Sequence, residues 1–339
     1  MLTPRFGVLL SSRRDAGQSD ADVLARTVAL ARQAERLGLD EVWVTEHHFL
    51  DHVVAPSSLT LAAYLLGATE RVRVGTAVTL LPLHSPLHVA EQAALLDHVS
   101  GGRFTLGVGR GQPLVEYELI GKGIDRWRDG MADSLAETLN ALRGKVSGRE
   151  DLPVVPLPRE DGGPGVYLAA NSEDSVRLAA ESGVPMLLYF DKSPDVKALM
   201  IEDYRRNGGP EEADHAFALY TVPTDDPGVA RRLMRERAAV MFSGQNRHRH
   251  LIPVTHEPPT GDELERMVER HTDQLLDTHA VGDVETCVRR LAHNIERSGC
   301  TRVLCQVEID GHTASAAWNL DRLATEVLPE VAKRLAVHA

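Results

Sequence analysis

An α/β fold closed as a (β/α)8 TIM barrel, with an insertion between its seventh and eighth strands, is what this 339-residue sequence predicts. Three observations lead there. Eight short apolar runs of strand character are spread evenly along the chain, stretches of helical periodicity separate them, and none carries the GxGxxG spacing of an open dinucleotide-binding sheet. "GVGRG" at 107 to 111 is glycine-rich but lacks that spacing.

The first run, "RFGVLL" (5 to 10), precedes the helical stretch "DADVLARTVALARQAERLG". There Leu24, Val28, Ala31, Ala34 and Leu37 share one face, Ser19 or Asp20 can cap the start, and Gly38 can take the left-handed closing turn. "EVWVT" (41 to 45) comes before a helix starting near Pro56, and "RVRVGT" (71 to 76) before one starting near Pro86. Proline in a first turn loses no hydrogen bond. "RFTLGVG" (103 to 109) leads to a helix around 129 to 143, and "GVYLAA" (165 to 170) to a helix opened by Ser172. "PMLLYF" (185 to 190), "FALYTV" (217 to 222) and "RVLCQVE" (302 to 308) complete the eight. Two segments break the regularity: the polar stretch 144 to 164, and 243 to 281, which includes a helix at 262 to 279 and reads either as a mobile lid or as an ordered decoration. The whole chain, 1 to 339, is expected to be one domain.

Composition narrows the function. Lysine and arginine number 37 against 49 acidic residues, a net charge of −12, which disfavours nucleic acid and anionic membrane surfaces. The basic cluster "NRHRH" (246 to 250) is too small to reverse that sign. Three cysteines without CxxC spacing argue against a disulfide framework and fit a reducing compartment. The N-terminal apolar patch is shorter than the roughly 7 to 15 residues of a signal sequence, and no run approaches the roughly 18 of a membrane span. A cytoplasmic protein acting on a small molecule is expected.

In such a barrel, chemistry belongs to the loops at the carboxyl ends of the strands. The second strand ends in "TEHHF", placing Glu46, His47 and His48 on that face, where alternation lets only one histidine look into the mouth. The pair fits neither HxH nor HxxxH, so a zinc hydrolase is a lesser alternative and no metal is expected; an ordinary hydrogen-bonded loop histidine is the plain one. An imidazole with an ordinary pKa of about 6.5 can exchange protons near neutrality. Glu46 could orient that ring, or bond to backbone and hydroxyls. Gly75, Thr76 and Ala77 leave room for a flat ligand, or pack tightly inside the barrel. Arg110, in "GVGRGQ", can reach a phosphate or sit on the surface. Ser172 and Ser175, in "ANSEDS", stand beside free helix amides, as phosphate ligands or as a simple N-cap.

Together these segments resemble the bacterial luciferase family of flavin-dependent monooxygenases. The resemblance runs through nearly the whole chain, in "EVWVTEHHF", "RVRVGTAVTLLPLHSPLHVAEQAALLDHVSGGRFTLGVGRG", "GVYLAANSEDSVRLAAESGVPMLLYF" and "VGDVETCVRRLAHNIERSGCTRVLCQVE". It implies a two-component enzyme: reduced FMN from a separate flavin reductase reacts with O2, and the resulting flavin hydroperoxide oxygenates a small or medium organic substrate by hydroxylation or Baeyer–Villiger insertion. The family's catalytic histidine falls on His47 and its acidic neighbour on Glu46, while Thr45 lines the flavin site. A non-proline cis peptide under the ring system falls at Ala77–Val78. Arg110 matches the phosphate arginine, Asn171, Ser172 and Ser175 the helix start that completes the phosphate site, and Ala169 and Ala170 lie beneath the rings. Luciferase has glutamate in place of Asn171, cysteine in place of Gly109 and tryptophan in place of Phe190, departures that bear on aldehyde oxidation and light emission. The resemblance also implies a homodimer paired through "PLHVAEQAALLDHVSGGR", whose small apolar face would equally serve to pack on the barrel. Two other roles occur in the same superfamily: deazaflavin-dependent hydride transfer, and a non-catalytic flavin-binding partner subunit. With aromatics at only 4%, a pocket lined mainly by aliphatic groups is expected.

Overall fold

A computed structural model describes residues 4–15, 17–120, 122–149, 151–159, 162–242, 249–252, 259–309 and 313–337. Its centre is a ring of eight parallel strands: β1 (Arg5–Leu10), β2 (Glu41–Val44), β3 (Arg73–Thr76), β4 (Phe104–Gly109), β5 (Gly165–Ala170), β6 (Met186–Leu188), β7 (Ala216–Pro223) and β8 (Arg302–Gln306). Each strand pairs with the next, and Arg302 of β8 pairs with Ala216 on one side and Arg5 on the other, which closes the barrel. Every run read as a strand is one. Several are shorter than their apolar runs for a local reason. β3 begins at Arg73 because the amides of Glu70, Arg71 and Val72 donate to the Glu35 carboxylate at 2.8, 2.6 and 3.1 Å. β6 stops at Leu188, where Tyr189 and Phe190 turn into an aromatic cluster.

Helix boundaries follow their caps. In α1 (Asp20–Arg36), Ser19 and Asp22 form a reciprocal capping box. α2 (Ser58–Ala68) starts two residues after Pro56, because the Ser57 hydroxyl accepts from the Thr60 amide. Pro86 does open α3 (Pro86–Val99). α4 (Gly123–Ala141) begins earlier than the sequence pattern implied, and α5 (Glu173–Ser182) is capped by Ser172. α6 (Pro194–Arg206) follows β6. The insertion after β7 consists of α7 (Pro227–Phe242) and α8 (Gly261–Thr278), which pack on each other, and of Ala280–Gly282, which pairs with the end of β7 before α9 (Val284–Ser298). Of the segment read as a lid, 243–248 and 253–258 lie outside the described residues, as does most of "NRHRH". Among the described residues no helix is long and apolar enough to cross a membrane, and the three cysteines are free and buried.

Strand alternation divides the core. Val42, Val44, Leu106, Leu168, Ala170 and Leu219 face the helices, whereas Leu9, Trp43, Tyr167, Leu187, Ala218 and Leu304 fill the interior. Interior space is tight. A Cβ on Gly107 would lie 1.9 Å from the Thr76 carbonyl oxygen, and one on Gly75 would meet the Trp43 ring at 2.5 Å. Gly75 and Thr76 therefore serve barrel packing, not a flat ligand. The floor is ionic: Glu41 accepts from the Trp43 indole at 2.7 Å and pairs with Arg302 at 3.2 Å, and Arg302 pairs in turn with Asp214 at 3.2 Å.

Two buried histidines make acid sensitivity a property of the fold. Desolvation lowers the pKa of His215 to about 4 and that of His279 to about 3; the Nδ1 of each accepts a backbone amide, from Met186 and Tyr220. Between pH 6.5 and 4 the unfolded chain protonates both while the native state binds neither, so stability falls as pH drops, with a limiting slope of about 1.4 kcal/mol per pH unit for each histidine. Denaturant titrations across this range should show that slope, and His215→Gln should reduce it; a flat profile would contradict the assignment.

Candidate active site

The carboxyl rim is organised by Glu46, which is 2% exposed just past β2. Its Oε2 accepts from the Ser58 hydroxyl at 2.6 Å and the Ser58 amide at 3.2 Å; its Oε1 accepts from the Leu80 amide at 3.3 Å and from His84 Nε2 at 2.7 Å. His48 Nε2 approaches the same oxygen at 3.4 Å. Burial pushes the carboxyl pKa up, but the hydrogen bonds from His48, His84 and Ser58 outweigh it and hold Glu46 ionised well below the usual carboxylate range. Thr79 Oγ1 lies 2.9 Å from Ser58 Oγ and extends the network inward. Among the described residues no hydrogen bond joins Glu46 to His47. Glu46 thus does not orient that ring; it fixes the rim around it.

His47 is the histidine that looks outward, while His48 turns back to Glu46. His47 is exposed, with protein packed around it. Desolvation there, with His52 and His48 as further positive neighbours, outweighs the opposing Glu46 and lowers its pKa to about 4. Its amide donates to the Ala55 carbonyl at 2.8 Å, which fixes the backbone. Thr45 is buried beside it, with Oγ1 3.5 Å from the Ser11 carbonyl.

A bed of small groups lies next to these residues. The Ala77–Val78 peptide is cis, and the Ala77 amide donates to the Val44 carbonyl at 2.7 Å. Leu80 pairs with Gly109, so the strand end that carries Arg110 is tied directly to the Glu46 network. A Cβ on Gly109 would sit 2.8 Å from Val78 Cγ2 and 3.1 Å from Ala169 Cβ. That explains the glycine: Val78 occupies the space a larger residue at 109 would need. Ala169 faces this bed, whereas the Ala170 side chain is buried among the helix-facing residues, leaving only its backbone for the site.

Arg110 is half-buried, its guanidinium carbon 4.3 Å above the Trp127 ring. Its carbonyl accepts from the Tyr117 hydroxyl at 2.6 Å and the Gly111 carbonyl from the Trp127 indole at 3.1 Å. Among the described residues no carboxylate pairs with it. On the next strand end, Ser172 and Ser175 form a capping box, with Ser175 Oγ accepting from the amides of Asn171 and Ser172, both at 2.9 Å. The N-cap reading is therefore met, and the first free amides of α5 remain available at an exposed edge. These groups suit a flavin-type cofactor: a small-residue bed for a planar ring, and a guanidinium and helix start for a phosphate.

Several contributors were not singled out from sequence. His84 had a signal, since it too follows a strand within the quoted "LPLHSP". Ser58, Tyr117 and Trp127 had none. The insertion also reaches the rim: the Arg249 guanidinium donates to the His48 carbonyl at 3.4 Å, and the Val115 amide to the Arg249 carbonyl at 2.8 Å. The mouth is more aromatic than composition implied, with Phe190 stacked on Tyr220 at 4.9 Å and Tyr189 edge-on to Phe190 at 5.2 Å. A separate cavity of about 610 Å3, walled by Pro223, Asp225, Trp318 and Arg322, contains none of the rim residues.

Comparison with known proteins gives the family and the fold. The alkanal monooxygenase alpha chain of Photorhabdus laumondii subsp. laumondii is 25% identical over 357 residues, covering 96% of this chain and 97% of the relative. Among solved structures, the oxygenating constituent of 3,6-diketocamphane monooxygenase from Pseudomonas putida, a type II Baeyer–Villiger monooxygenase in complex with FMN, superposes with a TM-score of 0.71 at 19% identity, covering 97% of this chain and 99% of that one. An F420-dependent secondary alcohol dehydrogenase superposes at 0.73 with 17% identity and the same coverage. At these identities the structures share the fold. The pattern of the luciferase-like monooxygenases matches residues 3–302, and the chain accordingly belongs to that family and is an oxidoreductase.

Proposed function

We propose that the chain is the oxygenase component of a two-component, FMN-dependent monooxygenase: reduced FMN from a separate reductase and O2 serve to oxygenate a small or medium organic substrate. The observation that carries the reading is one rim holding an outward-facing, neutral His47 and an unpaired Arg110, with Ala77, Gly109 and Ala169 forming the small-residue bed beside them. Bound reduced FMN would supply the two electrons that activate dioxygen. Arg110, the α5 amides and Asn171, Ser172 and Ser175 would hold its phosphate, and Thr45, Ala77, Val78, Ala169 and the Ala170 backbone would line its rings.

The protein's own part in the reaction is proton handling and placement. His47, unprotonated across the neutral range, can accept a proton at a ring nitrogen and return it, because desolvation keeps it a weak base while its exposed surface can reach bound molecules. Glu46 is a positioning residue. Its ionised carboxylate holds the α2 start, Leu80 and His84 in one arrangement, so the segment bearing His47 keeps its place relative to Gly109 and Arg110. A cytoplasmic homodimer fits the exposure of Tyr64, Leu95 and Val99 (62%, 51% and 71%), since the alanines of α3 are already used against the barrel.

Assay with FMN, a flavin reductase and a panel of aldehydes, ketones and aromatic substrates tests the reading. His47→Ala should bind FMN within about threefold of the parent and lose about 100-fold or more of substrate-dependent oxygen consumption. Arg110→Gln should weaken FMN about tenfold or more while leaving riboflavin unchanged. Oxygen-independent hydride transfer with a reduced deazaflavin, or an unimpaired His47→Ala enzyme, would overturn it. Glu46→Gln should cost about 2–4 kcal/mol of stability by denaturant midpoint, because the amide cannot accept all the donors left pointing at it. A cost under about 0.5 kcal/mol would show that Glu46 does not organise the rim.

A further inference from the structure

We infer that the barrel mouth carries an anion subsite, built from Arg13 and Arg237 beside Tyr220, that selects substrates bearing a carboxylate on a flat, unsaturated body. This deepens the monooxygenase reading and rests on it for the identification of the mouth as the substrate site.

Arg13 follows β1 on the rim. Its neighbours in sequence both turn outward to α1, Ser12 Oγ to Thr27 Oγ1 at 3.0 Å and Arg14 to Asp20, whereas Arg13 forms a backbone bridge with Val53 and is half-buried. Arg237 comes from the insertion. On α7 the buried residues Ala230, Leu233, Met234 and Ala238 mark the inward face, and Arg237, three residues past Met234 and four past Leu233, shares it. Tyr220 packs against that same cluster and stacks on Phe190, so the guanidinium of Arg237 lies by the aromatic group at the mouth. Its Nε is buried and, among the described residues, without a hydrogen-bond partner.

The other arginines of α7 make the contrast. Arg231 pairs with Glu269 and Asp273, Arg232 with Glu236, and Arg235 with Glu265 and Glu269. Arg13 and Arg237 have no carboxylate partner among the described residues, in a chain whose net charge is −12. The carboxylates nearest Arg13 are engaged elsewhere, Asp15 with Arg26 at 3.3 Å and Glu236 with Arg232 at 3.0 Å. Burial lowers the pKa of Arg13 and the positive charge of Arg237 lowers it further, outweighing the opposing influence of Asp15, Tyr220 and Glu236, so the two cations act on each other. Two guanidinium charges that act on each other while partly desolvated are unfavourable until an anion lies between them. A carboxylate matches the planar fork of a guanidinium. Tyr189, 55% exposed, and the stacked Phe190 and Tyr220 offer a surface for a flat body.

The flavin phosphate is the other anion that could use this pair, and the test separates the two sources. Binding of trans-cinnamate and of its neutral amide is measured calorimetrically on the full-length protein, with FMN and riboflavin titrated in parallel. The parent should bind the acid at least about tenfold more tightly than the amide, and Arg13→Gln and Arg237→Gln should each bring that ratio below about threefold while amide affinity and the preference for FMN over riboflavin stay unchanged. Arg237→Lys should retain part of the preference for the acid. No preference in the parent, an unchanged preference in both glutamine variants, or a loss of FMN selectivity in those variants would overturn the subsite; the last would give the pair to the flavin phosphate. A parent that prefers the acid but binds no FMN would support the subsite and sink the flavin reading alone.

Discussion

A buried, ionised carboxylate on a barrel rim tolerates no vacancy in its hydrogen bonds, and Glu46 imposes that condition on everything around it. Desolvating the charge costs several kcal/mol unless donors replace the lost water. The donors come from separate stretches of chain: the Ser58 hydroxyl and amide at the start of α2, the Leu80 amide, and His84. Leu80 also pairs with Gly109 on β4. A slip of any one segment would leave either the carboxylate or a donor unsatisfied, so the loops after three strands are held in one register. His47 escapes this network and is therefore free to act.

The two ends of the barrel handle charge differently. At the floor, the carboxylates of Glu41 and Asp214 are matched by the guanidiniums of Arg302 and Arg5, and the Tyr167 hydroxyl accepts from Arg302. At the rim, Arg110, Arg13 and Arg237 lack carboxylate partners among the described residues, and His47 stays neutral. Opposite charges set against one another offset each other's desolvation, whereas charges held without a carboxylate partner are poised for ligands. The rim of this acidic protein is thus positively biased where an anionic cofactor and an anionic substrate would enter.

Strand positions and most caps were legible in sequence because they depend on neighbours a few residues away: the alternation of "RFGVLL", the Ser19 box, Ser172 before α5. Features set by distant residues were not. Nothing near Arg71 announces that Glu35 will take its amide and delay β3. Gly75 read equally as ligand space or as barrel packing, and only the distant Trp43 decides for packing. Glu46 and His47 were identifiable as a pair, but adjacent side chains diverge, and the real partner of Glu46, His84, lies 38 residues on. The cis bond at Ala77–Val78 came from family resemblance alone; no local residue preference marks it. Ala170 was placed under the rings by motif alignment, and strand alternation turns its side chain the other way. The aromatic group at the mouth was hidden by an average, since a 4% aromatic content says nothing about where the few rings gather.

The central claim is that one flavin spans the rim from His47 to Arg110. A crystal structure of the protein with FMN under reducing, anaerobic conditions tests it most directly. The account predicts the ring system over Ala77–Val78 and Gly109, within contact of His47, and the phosphate on Arg110 and the amides of α5. Electron density for the flavin on any other surface, or a phosphate held by groups that exclude Arg110, would contradict it.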